Sequence, residues 1–206
     1  MGPVHGWLPG ATRSTGIGVL AVALALLGAT VAEPAGAGTF SGRLELQAER
    51  GNRFIYIPDK DSPFTFVTSN NEVIAPQSMY TNGGSIPPVL WLAPGLSPWT
   101  YGPAFVLHDW LFRQHHCHYA GYERVSFEDS ARILTEAMDT LEHLGLVPRN
   151  PRAVAIITRG AHSRVARVVW DRGFCTPQKF GAGPAKTNPI VKVYDFTATR
   201  HLPPAR

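Results

Sequence analysis

The hydrophobic pattern of this chain changes its period part-way along, and that change limits the folds that are open to it. Between residues 40 and 68, apolar and polar residues alternate in the segments GRLELQAE, RFIYIP and PFTFVT, which are rich in β-formers. Turn-forming residues separate these segments, so we predict short antiparallel strands. After residue 102, apolar residues recur every three or four positions, as in amphipathic helices. Strands followed by helices predict an α+β fold.

Three helices are predicted in the second half of the chain. The first covers residues 102–115, because a proline there suits the first helical turn. The second follows Ser126 as N-cap, with Asp129 three residues later as its capping-box partner. The third has Asn150 as its cap and a proline at its first position, and it carries its apolar stripe through residues 151–168.

An uncharged apolar run at residues 16–28 (GIGVLAVALALLG) follows Arg13 and is typical of a signal peptide. The run is shorter than the roughly 20 apolar residues that a membrane-spanning helix needs. Residues 35–37 (AGA) match a small-x-small cleavage site, so we predict cleavage after Ala37, with Ala32 as the second choice. The mature chain would then be exported, to the periplasm or the medium, without a transmembrane span. An uncleaved N-terminal anchor is the alternative.

Residues 1–37 are therefore assigned to the signal peptide and residues 38–175 to one α+β domain. Residues 176–206 form a Gly- and Pro-rich tail, with an edge strand predicted at Ile190–Phe196 (IVKVYDF). The formal net charge of +4 favours polyanionic surroundings such as a cell wall or anionic lipid. The excess is too small to indicate a nucleic-acid binder. We therefore expect a cell-envelope partner, lipid or peptidoglycan, and no nucleic acid.

The stretch YGPAFVLHDWLFRQHHCH at residues 101–118 places His108 and Asp109 inside an otherwise apolar helix. Adjacent helical residues point in different directions, so these two side chains are not expected to bond to each other. One interpretation is structural, with His108 bonded to a backbone carbonyl and Asp109 paired with Arg113 one turn later. The other is functional, with His108 as a general base or metal ligand and Asp109 holding a cation.

Three motifs in this order, TNGGSIPPVLW, YGPAFVLHDWLF and FEDSARILTEAM, resemble the bacterial and phage family called domain of unknown function 1353. The resemblance covers about residues 81–138 and implies a fold and a site, but no activity. Two positions depart from the family pattern: Asn82 and Ala131 stand where the family usually has Asp. The nearest acid, Asp129, is on the opposite side of the helix from Ala131, so we interpret it as a capping residue. The site residues that the resemblance implies are His108, Asp109, Asn82, Gly83, Gly84 and Ser85.

The arrangement is also similar, more loosely, to that of secreted phospholipase A2 enzymes. That similarity implies that His108 deprotonates a water, while Asp109 and the loop carbonyls around Gly83 and Gly84 bind calcium. The cysteine framework of those enzymes is absent here. Ser85 is either a nucleophile beside His108 or a loop residue that bonds to the backbone.

The two cysteines leave further alternatives open. In an oxidising compartment Cys117 and Cys175 form one disulfide; otherwise they are isolated thiols, or Cys117 is a ligand. A zinc site would use Cys117 with histidines at positions 108, 115 and 118. The cofactor is thus undetermined between none, calcium and zinc.

The leading hypothesis is an exported hydrolase acting on cell-envelope material, either a lipid ester or peptidoglycan. His108 would be its base, and Asp109 would hold a cation. The alternative is a non-catalytic, prophage-derived or envelope-binding module in which His108, Asp109 and Asn82 form a buried structural network.

Overall fold

In the described part of the chain, six short strands precede four helices, and a seventh strand follows them. The structure is a computed structural model that describes residues 2, 38–49, 53–82, 95–97, 99–178 and 189–197. The strands are β1 (Thr39–Ser41), β2 (Arg43–Glu49), β3 (Arg53–Tyr56), β4 (Thr65–Val67), β5 (Val73–Ile74), β6 (Met79–Thr81) and β7 (Ile190–Asp195). The helices are α1 (Gly102–Cys117), α2 (Phe127–His143), α3 (Pro151–Ala161) and α4 (Arg164–Arg172). The predicted α+β fold is confirmed.

The strands form two antiparallel sheets. One has three strands in the order β1-β4-β5, and the other has four in the order β6-β3-β2-β7. Strand β7 pairs with β2 at the edge of the four-stranded sheet, so part of the predicted tail belongs to the folded unit. At the other edge, β6 pairs with β3 and places Thr81 opposite Phe54. The many prolines of residues 73–98 predict a loop there, but the structure places β5 and β6 in the first part of that segment.

Aromatic side chains fill the core beside the sheets. The ring of Phe40 lies 4.6 Å from that of Phe66 and 4.8 Å from that of Phe196, between ring centroids. Phe64 and Tyr56 are fully buried in the same cluster. Each such side chain contributes about 1.5–3 kcal/mol through burial, so this cluster fixes both ends of the described chain to the sheets.

Helix α1 packs against α2, and its first half is buried on nearly every side. The capping box predicted for α2 is confirmed, because the Ser126 side chain accepts a hydrogen bond from the backbone of Asp129 and the Asp129 side chain accepts one from the backbone of Ser126. Asp129 also forms an ion pair with Arg132 one turn later. Ala131 is fully buried on the opposite side of α2. Asp129 is therefore a capping residue, as predicted.

The prediction of a single third helix is wrong, because α3 and α4 are separate helices. Ser163 leaves the helical conformation, with φ −71° and ψ 159°, and its side chain accepts a hydrogen bond from the backbone of Ala166. Serine at such a position caps a new helix. The helical spacing is interrupted here, and Val165 and Val168 are exposed instead of extending the buried stripe of α3.

A disulfide joins Cys117, at the end of α1, to Cys175, just after α4. The zinc alternative is contradicted for Cys117, because a sulfur in a disulfide is not available as a thiolate ligand. His116 provides a second contact between α1 and α4. Its Nε2 lies 3.0 Å and 3.1 Å from the backbone carbonyl oxygens of Val169 and Trp170. Together these contacts hold α4 against the end of α1.

None of the helices in the described part of the chain is long and apolar enough to cross a membrane. The predicted signal peptide, apart from Gly2, lies outside the described residues, and so do residues 83–94. Export therefore stays a prediction.

Candidate functional site

A cavity of about 630 Å³ is bounded by α1, the end of β6, and helices α3 and α4. Most of its wall is apolar, with Phe105, Phe112 and Leu134 among the lining side chains. His108 and Asp109 both face into it. The cavity is wide enough to receive two adjacent residues of α1 even though their side chains leave the helix about 100° apart.

Asp109 is held by the end of β6. Its Oδ2 accepts a hydrogen bond from the Thr81 hydroxyl at 2.6 Å, and its carboxylate also accepts one from the backbone N–H of Asn82. Burial raises the pKa of Asp109 to about 6, and these two hydrogen bonds act in the opposite direction because they stabilise the charged form. Asp109 is therefore a carboxyl group that titrates in mildly acidic solution.

The predicted pairing of Asp109 with Arg113 is wrong. The Arg113 guanidinium donates to the backbone carbonyl of Thr176 at 3.2 Å and to the Tyr119 hydroxyl at 3.2 Å. Arg113 instead fixes the segment after α4, since Thr176 follows the disulfide. Asp109 takes its hydrogen bonds from strand β6, which lies 28 residues earlier.

His108 differs from Asp109 in having a buried nitrogen without a partner. Its Nε2 makes no hydrogen bond within the part of the chain that the structure describes. Burial lowers the pKa of His108 to about 4, so the imidazole is neutral at neutral pH. Its ring lies 4.7 Å from that of Phe112, between centroids. No backbone carbonyl of the described residues bonds to Nε2, so within that part of the chain this nitrogen is available to a ligand or water.

Residues 60–150 match the model of a family described as Protein of unknown function (DUF1353). We call this segment the DUF1353 domain, because of its similarity to that family. The family resemblance carried by the three motifs is confirmed, and the match includes Thr81, His108 and Asp109. No curated protein and no solved structure matches the chain significantly. The family description names no activity, so function has to be argued from the cavity.

The boundary of the DUF1353 match divides the cavity into two parts. The matched residues supply Thr81, His108 and Asp109 and the wall formed by α1 and α2. Helices α3 and α4 begin after residue 150, and they supply the opposite wall through Ile157, Ala161 and Val169. The family segment thus supplies His108 and Asp109, while residues beyond it supply much of the apolar wall and the polar side chains of Ser163, Thr176 and Gln178.

The described residues of the DUF1353 domain and its flanks do not form a donor set for a metal. They contain no group of three or more His, Cys, Asp or Glu side chains that could hold one ion. At the predicted calcium site they supply one carboxylate, that of Asp109, and it already accepts two hydrogen bonds. The predicted site residues Gly83, Gly84 and Ser85 lie outside the described residues. His115, which we had considered as a zinc ligand, instead stacks on Trp170, with ring centroids 4.1 Å apart.

Two site features of the DUF1353 domain were missed from the sequence. Thr81 holds Asp109, and Asn82 contributes its backbone N–H where we had considered its side chain as a ligand. The signal for Thr81 was its place directly before the glycine-containing loop, at the end of the short β-type sequence MYT. The wall formed by α4 was missed because α3 and α4 were predicted as one helix.

Proposed function

We propose that the protein is an exported hydrolase that cleaves an acyl ester of a cell-envelope lipid in this cavity, with His108 as the general base. The observation that carries the proposal is the buried Nε2 of His108, which has no hydrogen-bond partner among the described residues and faces a mostly apolar cavity. A buried nitrogen without a partner costs free energy in the folded state, and such groups persist where they serve a ligand or a reaction.

The shape and lining of the cavity favour a lipid over peptidoglycan. Its volume of about 630 Å³ is in the range of small-molecule sites, and most of its wall is apolar, with nine Phe, Leu, Ile and Val residues among the 23 that line it. An acyl chain buried there loses contact with water and gains apolar contacts. The sugars and peptides of peptidoglycan carry many polar groups, which would lose hydrogen bonds to water without replacement.

The proposed reaction needs His108 in its neutral form, which dominates above a pKa of about 4. Nε2 takes a proton from a water as the water oxygen bonds to the ester carbonyl carbon. The bond from that carbon to the alcohol oxygen then breaks, and the imidazolium returns its proton to the leaving alcohol. The products are a carboxylic acid and an alcohol, and His108 is regenerated.

Asp109 is proposed to assist as a hydrogen-bond donor. Its pKa of about 6 means that a substantial fraction is protonated in mildly acidic solution. The protonated carboxyl donates to the ester carbonyl oxygen, on which negative charge develops. Thr81 and Asn82 hold the carboxyl in one orientation while it does so. The two groups thus act as neutral base and neutral acid, a pairing that opposite pKa shifts make possible.

The test is hydrolysis of p-nitrophenyl esters with acyl chains of two to twelve carbons by the purified chain. We expect turnover to rise with chain length as the cavity fills, and His108→Gln to lower it at least about 100-fold. His143→Gln is the matched control, because His143 is exposed at the end of α2 and does not line the cavity. Equal turnover by the wild type and His108→Gln would overturn the proposal.

A second function, a non-catalytic envelope-binding module of prophage origin, is favoured by a different observation. Asp109 joins α1 to β6 through Thr81 and Asn82, as a structural network would. On this view Asp109→Asn lowers the free energy of unfolding, and no ester is hydrolysed by any form of the protein. The same ester assay and urea unfolding of Asp109→Asn distinguish the two functions. Ester hydrolysis by the wild type favours the hydrolase, whereas loss of stability in Asp109→Asn without hydrolysis by any form favours the binding module.

A further inference from the structure

The mouth of the cavity is surrounded by apolar side chains that face solvent. Ile156 is 56% exposed, Val165 74% and Phe174 79%, and all three line the cavity. Val168, 49% exposed, lies one turn from Val165 on α4. Isolated exposed apolar residues are ordinary on a protein surface, but a group around one opening is typical of an interaction site. We call these four residues the apolar rim.

Four arginines stand on the same two helices. Arg152 and Arg159 lie four residues before and three residues after Ile156, so they share its face of α3. On α4, Arg164 is four residues before Val168 and Arg172 four residues after it. All four are exposed, and none forms an ion pair with any residue that the structure describes.

The fifth arginine of these two helices, Arg167, differs from the other four because it pairs with acidic residues. Arg167 pairs with Glu128 and lies 4.0 Å from Asp171. Residues 151–174 contain five arginines and a single acidic residue. The four arginines that form no ion pair with a described residue therefore leave a surface that is strongly positive around an apolar centre.

We infer that the apolar rim and its four arginines form a surface that docks on an anionic lipid bilayer, with the cavity mouth facing the lipid. Arginine binds phosphate oxygens through paired N–H donors, and each basic residue near an anionic bilayer strengthens binding about fivefold. Amphipathic helices with a basic flank and an apolar face lie in this way at the headgroup boundary. A second copy of the chain is a poorer occupant, because it would bring two arginine-rich faces together.

The inference of a docking surface rests on the proposed function, because the surface would bring a membrane lipid to the cavity for hydrolysis. The two are measured separately. Vesicle binding needs no turnover, and hydrolysis of a water-soluble ester needs no vesicle. Hydrolysis without docking would overturn the docking surface alone, and docking without hydrolysis would overturn the proposed hydrolase alone.

The experiment uses a fluorophore on the rim of the full chain, because the apolar run at residues 16–28 could itself bind vesicles. An environment-sensitive dye is attached to Val168→Cys, and the two native cysteines remain in their disulfide. Val73→Cys is the matched control, since Val73 is a valine 63% exposed on β5, far along the chain from the rim. Each labelled protein is titrated with phosphatidylcholine vesicles and with vesicles that also contain phosphatidylglycerol.

We expect the dye at position 168 to brighten several-fold with the anionic vesicles and little with neutral ones, while the dye at position 73 stays unchanged. Adding Arg164→Gln and Arg172→Gln should raise the lipid concentration at half-change by about twentyfold or more. Equal responses at both positions, equal responses to both vesicle types, or no effect of the arginine changes would overturn the docking surface. A response at position 168 that depends on protein concentration without lipid would assign the face to self-association instead.

Discussion

The hydroxyl of Thr81 donates a hydrogen bond to the carboxylate of Asp109, with 2.6 Å between Oγ1 and Oδ2. This bond connects the end of a sheet to the middle of a helix and stabilises the charged form of a buried acid. The ionised carboxylate therefore depends on it more than the neutral acid does.

Thr81→Val removes this donor while keeping the shape of the side chain. We expect a loss of about 1–3 kcal/mol in the free energy of unfolding at pH 8, where Asp109 is ionised, and a smaller loss at pH 5. Urea unfolding at the two pH values measures the difference. In an Asp109→Asn background the effect of Thr81→Val should no longer depend on pH; a persistent dependence would mean that the bond acts through another group.

The two buried groups on α1 should give stability opposite dependences on pH. The folded-state pKa of His108 is about 4 and its ordinary value about 6.5, so the unfolded chain binds this proton first as pH falls. Stability is then lost between these values, by about 3 kcal/mol in all. Asp109, with a folded-state pKa of about 6 against 3.8, binds its proton first in the folded state, so it adds stability as pH falls through that range.

These opposite contributions should nearly cancel in the wild type between about pH 4 and 6. We expect Asp109→Asn to lose stability steeply in acid, because His108 then acts alone. His108→Gln should gain stability over the same range. Chemical unfolding at half-unit pH intervals measures both slopes, and parallel curves for the wild type and the two variants would contradict the assignment.

The proposed reaction predicts an acidic pH optimum. It needs His108 neutral and Asp109 protonated. The fraction of molecules in which both conditions hold is largest at a pH about midway between the two pKa values of about 4 and 6. The rate of ester hydrolysis should therefore follow a bell-shaped curve centred near pH 5. Asp109→Asn should remove the alkaline limb, since an amide donates at every pH. A rate that rises steadily from pH 5 to pH 8 would rule out Asp109 as the donor.

The disulfide between Cys117 and Cys175 closes a loop of 58 residues that contains α2, α3 and α4. Loop-closure entropy predicts that replacing both cysteines by serine lowers the free energy of unfolding by about 4 kcal/mol. Urea unfolding with and without a reductant tests this. The double serine variant serves as the control, because its unfolding should not respond to the reductant, whereas the wild type should.

Gly160 lines the cavity from α3, and a Cβ placed there meets no atom within 4 Å. Gly160→Leu should fill part of the cavity and shift the preferred ester to a shorter acyl chain, with about tenfold weaker binding of the longest one. Gly160→Ala is the control: it adds one carbon and should stabilise α3 by up to about 1 kcal/mol. An unchanged chain-length profile for Gly160→Leu would show that the acyl chain lies elsewhere.

The elements with long or strongly marked patterns could be predicted from the sequence. The α1 and α2 helices have many periodic positions, and Ser126 with Asp129 marks the start of α2 by side-chain chemistry. Strand β6 has only three residues, too few for alternation to separate a strand from a loop. Thr81 was missed for that reason.

The properties of His108 and Asp109 depend on segments far away in the chain. Asp109 takes its hydrogen bonds from β6, and the walls around His108 include residues of α3 and α4. A local sequence pattern does not predict which distant groups will form a hydrogen bond with a particular side chain, such as the imidazole of His108. The break before α4 had a local signal, since Ser163 is a good N-cap, but the apolar spacing across it favoured one continuous helix.

The pairing of β2 with β7 affects how the protein is made. Glu45 lies opposite Val193, and Phe196 completes the aromatic cluster around Phe40. A nascent chain therefore cannot finish this sheet until the ribosome has added residues close to position 196. Contacts this far apart in sequence form slowly, so the edge of β2 that pairs with β7 remains unpaired through most of translation. During that interval the unpaired edge of β2 is exposed and can pair with another chain. This edge is therefore the part of the nascent chain that most needs a chaperone to prevent aggregation.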